Sequence, residues 1–429
     1  MMLVLGSLFG GQGAFCQAIT LPQALEQAQA NRPEVLNGQL QTRITRNDEA
    51  RRRAGWLPQA SAGADLRWNT QIQRNIIPNA PFANGQDLVL AFGTPSTNIL
   101  NAQAEQKVYD ASSRVDRRIN GLNLETQQVA LEQQRRDVRQ QVTEAYYLAV
   151  YNREKQRLSG RALERARGYL DQAQTRFTAG TLLKTDLDRF ALDLSNAELT
   201  HRNDTRDYAL SLDNLRYRMN SPQAVEPADS LAALFRSFDT PALTPADERP
   251  ELRREELARQ VNVLSEQRER ARLQPTVTAY GAYFVQQFNN TFNPFERGTW
   301  FPYNYLGLRL NVPLFDGRQN RLNRQDYVTR AQIGENTIRQ YRNDFEYEVR
   351  SARNTVEQAR ENLTETEKNI TQAQAILAVD RVRFDAGTLL LADFRNSEYS
   401  LQTAENNYLR AVYEVLVGQL QLRRALGTL

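Results

Sequence analysis

The sequence has one cysteine, Cys16, and one histidine, His201, among its 429 residues. A single cysteine excludes an internal disulfide framework and zinc sites built from several cysteines. No phosphate-binding glycine loop, nucleophile motif or cluster of metal-ligating residues accompanies the histidine. We therefore expect a protein that is not an enzyme and has no catalytic site, metal or cofactor. We interpret His201 as a polar spacer between helices.

An excess of charge of one sign is also absent. The 54 basic side chains are offset by 50 acidic ones, which leaves a net charge of only +4. The basic residues are almost all arginine and are interspersed with Glu, Asp and Gln, as on the solvated faces of long helices. Because no basic block is interleaved with aromatic residues, the pI near 9.1 does not predict nucleic-acid binding.

Long hydrophobic runs are missing, since no run after the N-terminus approaches the roughly 18 residues of a membrane-spanning helix. Residues 1–18, MMLVLGSLFGGQGAFCQA, are apolar and end in small residues, which is typical of a secretory signal peptide cleaved after Ala18. The basic first segment of such a peptide is missing, so we expect the signal peptide to be truncated at its N-terminus and the true start to lie upstream. A disordered or membrane-touching terminus is the alternative. Lipidation of Cys16 would require a small residue just before it. This chain has the bulky Phe15 there, so we do not expect a lipid anchor.

The sequence does contain an internal duplication. RFTAGTLLKTD at 176–186 and RFDAGTLLLAD at 383–393 agree at eight of eleven positions and lie 207 residues apart. The same offset relates Leu194 to Leu401, and further matches follow in the same order along both halves. Such a series predicts a tandem repeat.

The repeat fixes the expected domain organisation. We predict a first repeat at 19–220, a Pro-rich linker at 221–250 and a second repeat at 251–429. Each repeat is read as a helix, a strand pair, a very long helix, a turn and a second long helix.

Apolar residues recur every seven positions along the long helical stretches, which predicts coiled-coil packing. One such series in the second repeat is Val356, Leu363, Ile370, Leu377 and Phe384. The predicted long helices span 111–179, 184–219, 318–386 and 391–427. A continuous helix over the first of these ranges would be about 100 Å long at about 1.5 Å per residue.

Strand pairs are predicted near 59–109 and 275–315, ahead of the long helices. Apolar residues occupy the even positions from Ala60 to Trp68 and from Tyr305 to Leu314. Alternation over about ten residues is typical of a transmembrane β-strand with one face towards lipid and one towards a polar lumen. A soluble hairpin packed on helices is the alternative for any single strand. The aromatic residues between 288 and 303 predict a girdle and an external loop.

Four strands per chain cannot close a barrel, and an open sheet edge is not tolerated in lipid. The chain is therefore expected to associate with copies of itself. Two copies would give eight strands, and three would give twelve with room for a channel. The strand pattern leaves the number of copies open.

Taken together, the duplicated turn, PLFDG at 313–317, the start ITLPQALEQA at 19–28 and the end LRRALGTL at 422–429 resemble the TolC-like outer-membrane factors. This resemblance implies a mainly α fold with a small β part. It further implies a homotrimer with a twelve-stranded barrel in the outer membrane, an α-helical barrel in the periplasm and an equatorial region that includes 221–250.

The resemblance also implies a function and its partners. The expected function is the exit duct of a tripartite efflux pump or a type I secretion system. The implied partners are a periplasmic adaptor, an inner-membrane transporter and outer-membrane lipid. A periplasmic coiled-coil adaptor that never enters the membrane is the alternative from another class of protein.

In the TolC-like family, the two duplicated turns are the periplasmic tips of helical hairpins that meet the adaptor. The residues assigned to this contact are Arg176, Gly180, Thr181, Leu182, Leu183, Arg383, Gly387, Thr388, Leu389 and Leu390. Gly180 and Gly387 also suit the left-handed end of a helix. Where some members latch the entrance with a tyrosine and an arginine, this chain has Phe384 and Leu389.

Asp186 and Asp393 follow the two tip glycines by six residues. The resemblance implies that they form carboxylate rings at the periplasmic aperture, and such rings favour cations. The alternative is that each acid only complements the dipole of the helix that begins there.

Overall fold

A computed structural model describes residues 17–78, 87–236 and 249–429 of the chain. The predicted signal peptide, including Cys16, lies outside the described residues except for Gln17 and Ala18. Residues 237–248 of the predicted linker also lie outside them.

Eight helices occur in the described ranges. They are α1 (Leu21–Asn31), α2 (Pro33–Ala54), α3 (Ser112–Thr178), α4 (Lys184–Met219), α5 (Leu231–Arg236), α6 (Pro250–Ala271), α7 (Gln319–Asp385) and α8 (Leu391–Ala425). Helices α3 and α7 have 67 residues each, and they occupy equivalent places in the two repeats. No described helix is both long enough and apolar enough to cross a membrane.

Eight strands accompany these helices. They are β1 (Gln17–Ile19), β2 (Gln59–Trp68), β3 (Arg74–Ile77), β4 (Leu88–Ala91), β5 (Ser96–Asp110), β6 (Val225–Pro227), β7 (Thr276–Asn289) and β8 (Trp300–Asn311). The expected fold class, mainly α with a small β part, is confirmed. Strand β8 ends at Asn311, so the prediction that it continues to Leu314 was wrong. Pro313, two residues after Asn311, has no N–H for a ladder hydrogen bond.

The heptad positions of the long helices face inward. Val356 and Leu363 of α7 are buried, as are Leu401 and Val415 of α8. Small residues bring these helices close together, since a Cβ added at Gly418 would lie 3.4 Å from Cγ2 of Val356. The period of seven thus buries one face of each helix against its neighbour.

The main sheet has four antiparallel strands in the order β2-β5-β7-β8. Its central pair joins the two repeats, because β5 of the first repeat pairs with β7 of the second. The short strands β3 and β4 form a separate hairpin that the sequence pattern did not predict. Within the described residues, β2 and β8 are edge strands with one unpaired side each.

The chain divides into two compact units. One comprises the described residues within Met1–Thr42, Thr126–Glu256 and Glu335–Leu429, and the other comprises those within Arg43–Glu125 and Leu257–Gly334. Each unit draws on both sequence repeats. The first unit holds the largest apolar core, with Val142, Tyr147, Leu215, Val415 and Leu416 at its centre.

The start of the described chain is fixed within the first unit. Strand β1 runs parallel to β6. The Tyr146 hydroxyl lies 3.0 Å from the carbonyl oxygen of Ile19 and 2.6 Å from Oδ2 of Asp229. The same carboxylate oxygen accepts a hydrogen bond from the backbone N–H of Leu21 at 3.0 Å. Burial raises the pKa of Tyr146 well above its usual value, so the hydroxyl stays protonated.

Candidate channel wall and hairpin tips

In the second unit, the four-stranded sheet has two faces of different chemistry. Cross-strand partners point to the same face of a sheet, so the register assigns every side chain to one of them. One face is apolar and consists mainly of Ala60, Ala62 and Ala64 of β2, Ala102 and Ala104 of β5, Val277 and Ala279 of β7, and Leu306, Leu308 and Leu310 of β8. These three leucines are 91%, 73% and 65% exposed within the chain.

The opposite face is polar. It consists mainly of Ser61, Asp65 and Arg67 of β2, Asn101, Gln103 and Glu105 of β5, Thr278 and Gln286 of β7, and Arg309 of β8. Asp65 and Arg67 form an ion pair at 2.7 Å, although both side chains are exposed. The arrangement matches the sequence prediction of a sheet with one lipid-compatible face and one water-compatible face.

Aromatic side chains are divided between the two faces. Phe284 stacks on Tyr303 with ring centroids 4.8 Å apart, and both lie on the polar face. The ring of Tyr280 covers Gly307, where an added Cβ would lie 2.7 Å from a ring atom. Trp300 alone of the predicted girdle residues within β8 lies on the apolar face. Alternation along β8 therefore places Trp300 and its neighbour Phe301, both predicted girdle residues, on opposite faces of the sheet.

In the first unit, the two duplicated turns adopt nearly identical backbone conformations. Gly180 has φ 75° and Gly387 has φ 74°, in the left-handed region that favours glycine. The backbone N–H of Thr181 donates to the carbonyl of Arg176 at 2.9 Å, and that of Thr388 donates to the carbonyl of Arg383 at the same distance. This bond is the six-to-one contact of a Schellman motif, which ends α3 and α7.

The tip leucines differ in exposure. Leu183 and Leu390 are 69% and 73% exposed. Leu182 and Leu389 are half-buried. Each tip therefore presents one prominent apolar side chain, at the residue just before the returning helix.

The two acids assigned to the aperture have different surroundings. Asp186 lies in the first turn of α4, and its carboxylate pairs with the guanidinium of Arg189 at 3.1 Å. Asp393 lies in the first turn of α8, is exposed, and forms no ion pair with any residue that the structure describes. Asp186 is therefore partly neutralised in the single chain, whereas Asp393 is not.

Polar contacts connect the two hairpins close to their tips. Arg176 of α3 lies 3.4 Å from the carboxylate of Asp385 of α7, and its guanidinium stands 5.0 Å from the ring centroid of Phe384. Farther from the tips, Arg395 of α8 forms an ion pair with Asp193 of α4. Although Phe384 cannot form a polar latch itself, it stacks on the buried Phe394.

Hydrogen bonds and ion pairs also join α3 to α8, beside a groove of about 710 Å³. The hydroxyl of Tyr169 donates to Glu398, and Arg165 lies 3.5 Å from Glu398 and 3.8 Å from Glu405. The sequence patterns did not predict a role for these residues. A signal existed in the duplication, because Tyr169 and Glu398 occupy places where the other repeat has Ile376 and Ala191.

His201 belongs to α4, and its side chain packs against α3 as predicted for a spacer between helices. Its Nδ1 is 3.2 Å from Oγ of Ser159, and an added Cβ at Gly160 would lie 3.4 Å from its ring. Among the described residues, no group of three or more His, Cys, Asp or Glu side chains could hold a metal ion.

Part of the sequence is similar to known outer membrane proteins. Residues 246–428 match the family described as "Outer membrane efflux protein". The outer membrane protein TolC of Vibrio cholerae is 29% identical over 161 residues, which cover 36% of this chain and 35% of that relative. The chain thus aligns with about a third of the length of this curated relative.

Two solved structures share the fold over nearly the whole chain. The outer membrane protein VceC of Vibrio cholerae is 14% identical with a TM-score of 0.73, and the alignment covers 95% of this chain and 96% of that one. The outer membrane channel MtrE of Neisseria gonorrhoeae is 16% identical with a TM-score of 0.75, over 95% and 88% of the two chains.

The chain therefore shares the long-helix fold of these outer-membrane channel proteins. Over residues 246–428 the chain is similar to the outer membrane efflux protein family, and the resemblance to TolC-like factors is confirmed. The predicted localisation, the bacterial outer membrane with an extension into the periplasm, is confirmed with it. This family consists of efflux channel proteins rather than enzymes.

Proposed function

We propose that the chain forms a homotrimer and acts as the outer-membrane exit duct of a tripartite efflux pump or a type I secretion system. The observation that carries this proposal is the sheet with one exposed apolar face and two open edges. In lipid the open edges must be paired, and three copies would give twelve strands with a polar lumen.

The exposed apolar face also favours a duct over a periplasmic coiled-coil adaptor. A water-soluble sheet buries its apolar face against helices or a second sheet. Leu306, Leu308 and Leu310 are instead exposed in the single chain, and trimer closure would turn them towards lipid.

The hairpin tips are the proposed contact with a periplasmic adaptor, which would connect the duct to an inner-membrane transporter. Leu183 and Leu390 would give two equivalent apolar contacts per chain and six per trimer. The exposed backbone around Gly180 and Gly387 would let a partner hairpin approach closely, since nothing lies within 4 Å of a Cβ added at either glycine.

Native mass measurement in detergent and conductance in planar bilayers test the duct. We expect a trimer that opens a water-filled pore, because only closed strand pairing satisfies the sheet edges in lipid. A stable monodisperse monomer, or a trimer that remains soluble without detergent and never conducts, would contradict the proposal. Replacing both Leu183 and Leu390 by Asp should leave the trimer intact while weakening adaptor binding.

A further inference from the structure

Arginines are concentrated where the strands of the main sheet meet the helices. The four junction segments are 51–58 (RRRAGWLP), 111–118 (ASSRVDRR), 268–275 (RERARLQP) and 312–321 (VPLFDGRQNR). Together they contain eleven arginines, no lysine and three acids, whereas the whole chain has a net charge of only +4. The rest of the chain is therefore net negative, and the positive charge is a local feature of the junctions.

The register brings all four junction segments to one end of the sheet. Strand β5 ends where β7 begins, since Asp110 pairs with Thr276, and Thr276 in turn pairs with Asn311 at the end of β8. Gln59 at the start of β2 pairs with Glu105 near the same end of β5. The junction segments therefore flank one rim of the sheet.

Most of the acidic side chains near this rim already form ion pairs or cap a helix. Glu269 lies 2.9 Å from Arg272 and 3.4 Å from Arg268, which also lies 3.8 Å from Asp116. The carboxylate of Asp316 accepts the backbone N–H of Arg318 at 3.1 Å and caps the start of α7. These acids therefore leave several arginines uncompensated.

Six exposed arginines of the junction segments form no ion pair with any residue that the structure describes. They are Arg52, Arg114, Arg117, Arg118, Arg318 and Arg321, and we call them the arginine belt. Arg318 has φ 70°, a left-handed conformation that favours glycine or asparagine. The side chain at this strained position is nevertheless a long, exposed cation.

Apolar side chains flank the arginine belt on the same junction segments. Leu57, Leu273, Leu314 and Phe315 are all exposed, and Leu314 and Phe315 reach 93% and 84%. The chain thus combines apolar side chains and guanidinium groups at the rim of a sheet whose apolar face suits lipid. Arginine binds phosphate in a fork geometry, and basic clusters beside a membrane segment attract anionic headgroups.

We infer that the arginine belt binds the phosphate headgroups of anionic phospholipids on the helical side of the membrane. The exposed apolar residues of the same segments lie against the acyl chains of those lipids. This inference rests on the proposed membrane-spanning sheet, but it concerns the choice of lipid rather than conduction.

The test uses the full-length protein in neutral detergent and native mass measurement of bound lipid. Phosphatidylglycerol and phosphatidylcholine with identical acyl chains are titrated separately. A belt variant carries Arg114→Gln, Arg117→Gln, Arg318→Gln and Arg321→Gln. A matched control carries Arg202→Gln, Arg206→Gln, Arg353→Gln and Arg360→Gln, which remove the same charge from exposed positions of α4 and α7.

We expect the wild type and the control variant to prefer phosphatidylglycerol. An arginine near an anionic surface strengthens attraction about fivefold, so the belt variant should bind phosphatidylglycerol at least about tenfold more weakly. Its phosphatidylcholine binding should not change. Inorganic phosphate at the lipid concentration should not displace the lipid, because it lacks acyl chains.

Equal binding of the two lipids by the wild type would overturn the inference, as would equal losses in the belt and control variants. Displacement by inorganic phosphate would also overturn it, because the site would then be a simple anion site. None of these results would contradict the proposed duct if the protein still forms a conducting trimer in neutral lipid. A protein that forms no trimer there contradicts the proposed function instead.

Discussion

Glu398 and Glu405 both lie close to Arg165, but Glu398 also accepts a hydrogen bond and Glu405 does not. Glu398 receives the hydroxyl hydrogen bond of Tyr169 and lies 3.5 Å from Arg165. Glu405 has only the longer contact of 3.8 Å with Arg165. Burial raises the pKa of Glu405 above its usual value of 4.5, and the attraction of Arg165 does not compensate for it. A buried carboxylate with too few partners is destabilising when it is ionised.

This difference predicts opposite effects of two neighbouring substitutions. A glutamate with a raised folded pKa stabilises the fold only while it is protonated, and this contribution is lost as the pH rises through that pKa. Glu405→Gln should therefore be more resistant than the wild type to denaturant at pH 7, and the difference should vanish well below pH 4.5.

Glu398→Gln is the matched substitution, and it should lower resistance at pH 7 because it weakens both the Arg165 and the Tyr169 contacts. The measurement is unfolding in detergent across this pH range. A less stable Glu405→Gln at pH 7 would show that the ion pair outweighs the cost of burial.

At the scale of secondary-structure elements, the alternation of side chains along the strands determines which positions tolerate charge. Leu308 lies on the apolar face of β8, and Gln103 lies on the polar face of β5. Gln103 is the middle residue of β5, and Leu308 lies three residues before the end of β8. Gly307 is unsuitable for a comparison, because any side chain there would collide with the ring of Tyr280.

Leu308→Arg should therefore destabilise the inserted protein by about 2–4 kcal/mol if that position lies near the bilayer midplane. Gln103→Arg should have a much smaller effect, since its side chain faces water. Refolding into vesicles with denaturant titration measures both. Equal losses at the two positions would contradict the assignment of the faces.

At the scale of the whole molecule, the proposed trimer would bring three copies of each tip acid together. Asp393 is exposed and unpaired among the described residues, whereas Asp186 has Arg189 beside it. The two duplicated acids are therefore expected to contribute unequally to the field at an aperture. Carboxylate rings favour cations, and an adjacent arginine reduces this preference.

Asp393→Asn should lower cation selectivity in planar bilayers more than Asp186→Asn does. Loss of the interaction with the helix dipole costs only about 0.3–1 kcal/mol at either site, so the trimer should remain folded. Unchanged selectivity in the double variant would mean that both acids serve only the helix starts and that the narrowest point lies elsewhere.

The sequence by itself determined the features that follow local periods. A repeat offset of 207 residues, a period of seven along the helices and a period of two along the strands are all visible in the order of residues. Each period corresponds to a fixed geometry of the backbone, so a face can be assigned without knowing its neighbour. The glycines at both tips were predictable for the same reason, since the left-handed helix end favours glycine.

Only the tertiary structure decided how distant segments meet. The pairing of β5 with β7, the Tyr169 contact with Glu398 and the parallel pair of β1 with β6 join residues about 165 to 230 positions apart. No local period encodes such contacts, because they depend on the register in which whole strands and helices pack. For the same reason the junction arginines, scattered over four segments of the sequence, come to one rim only when the sheet forms.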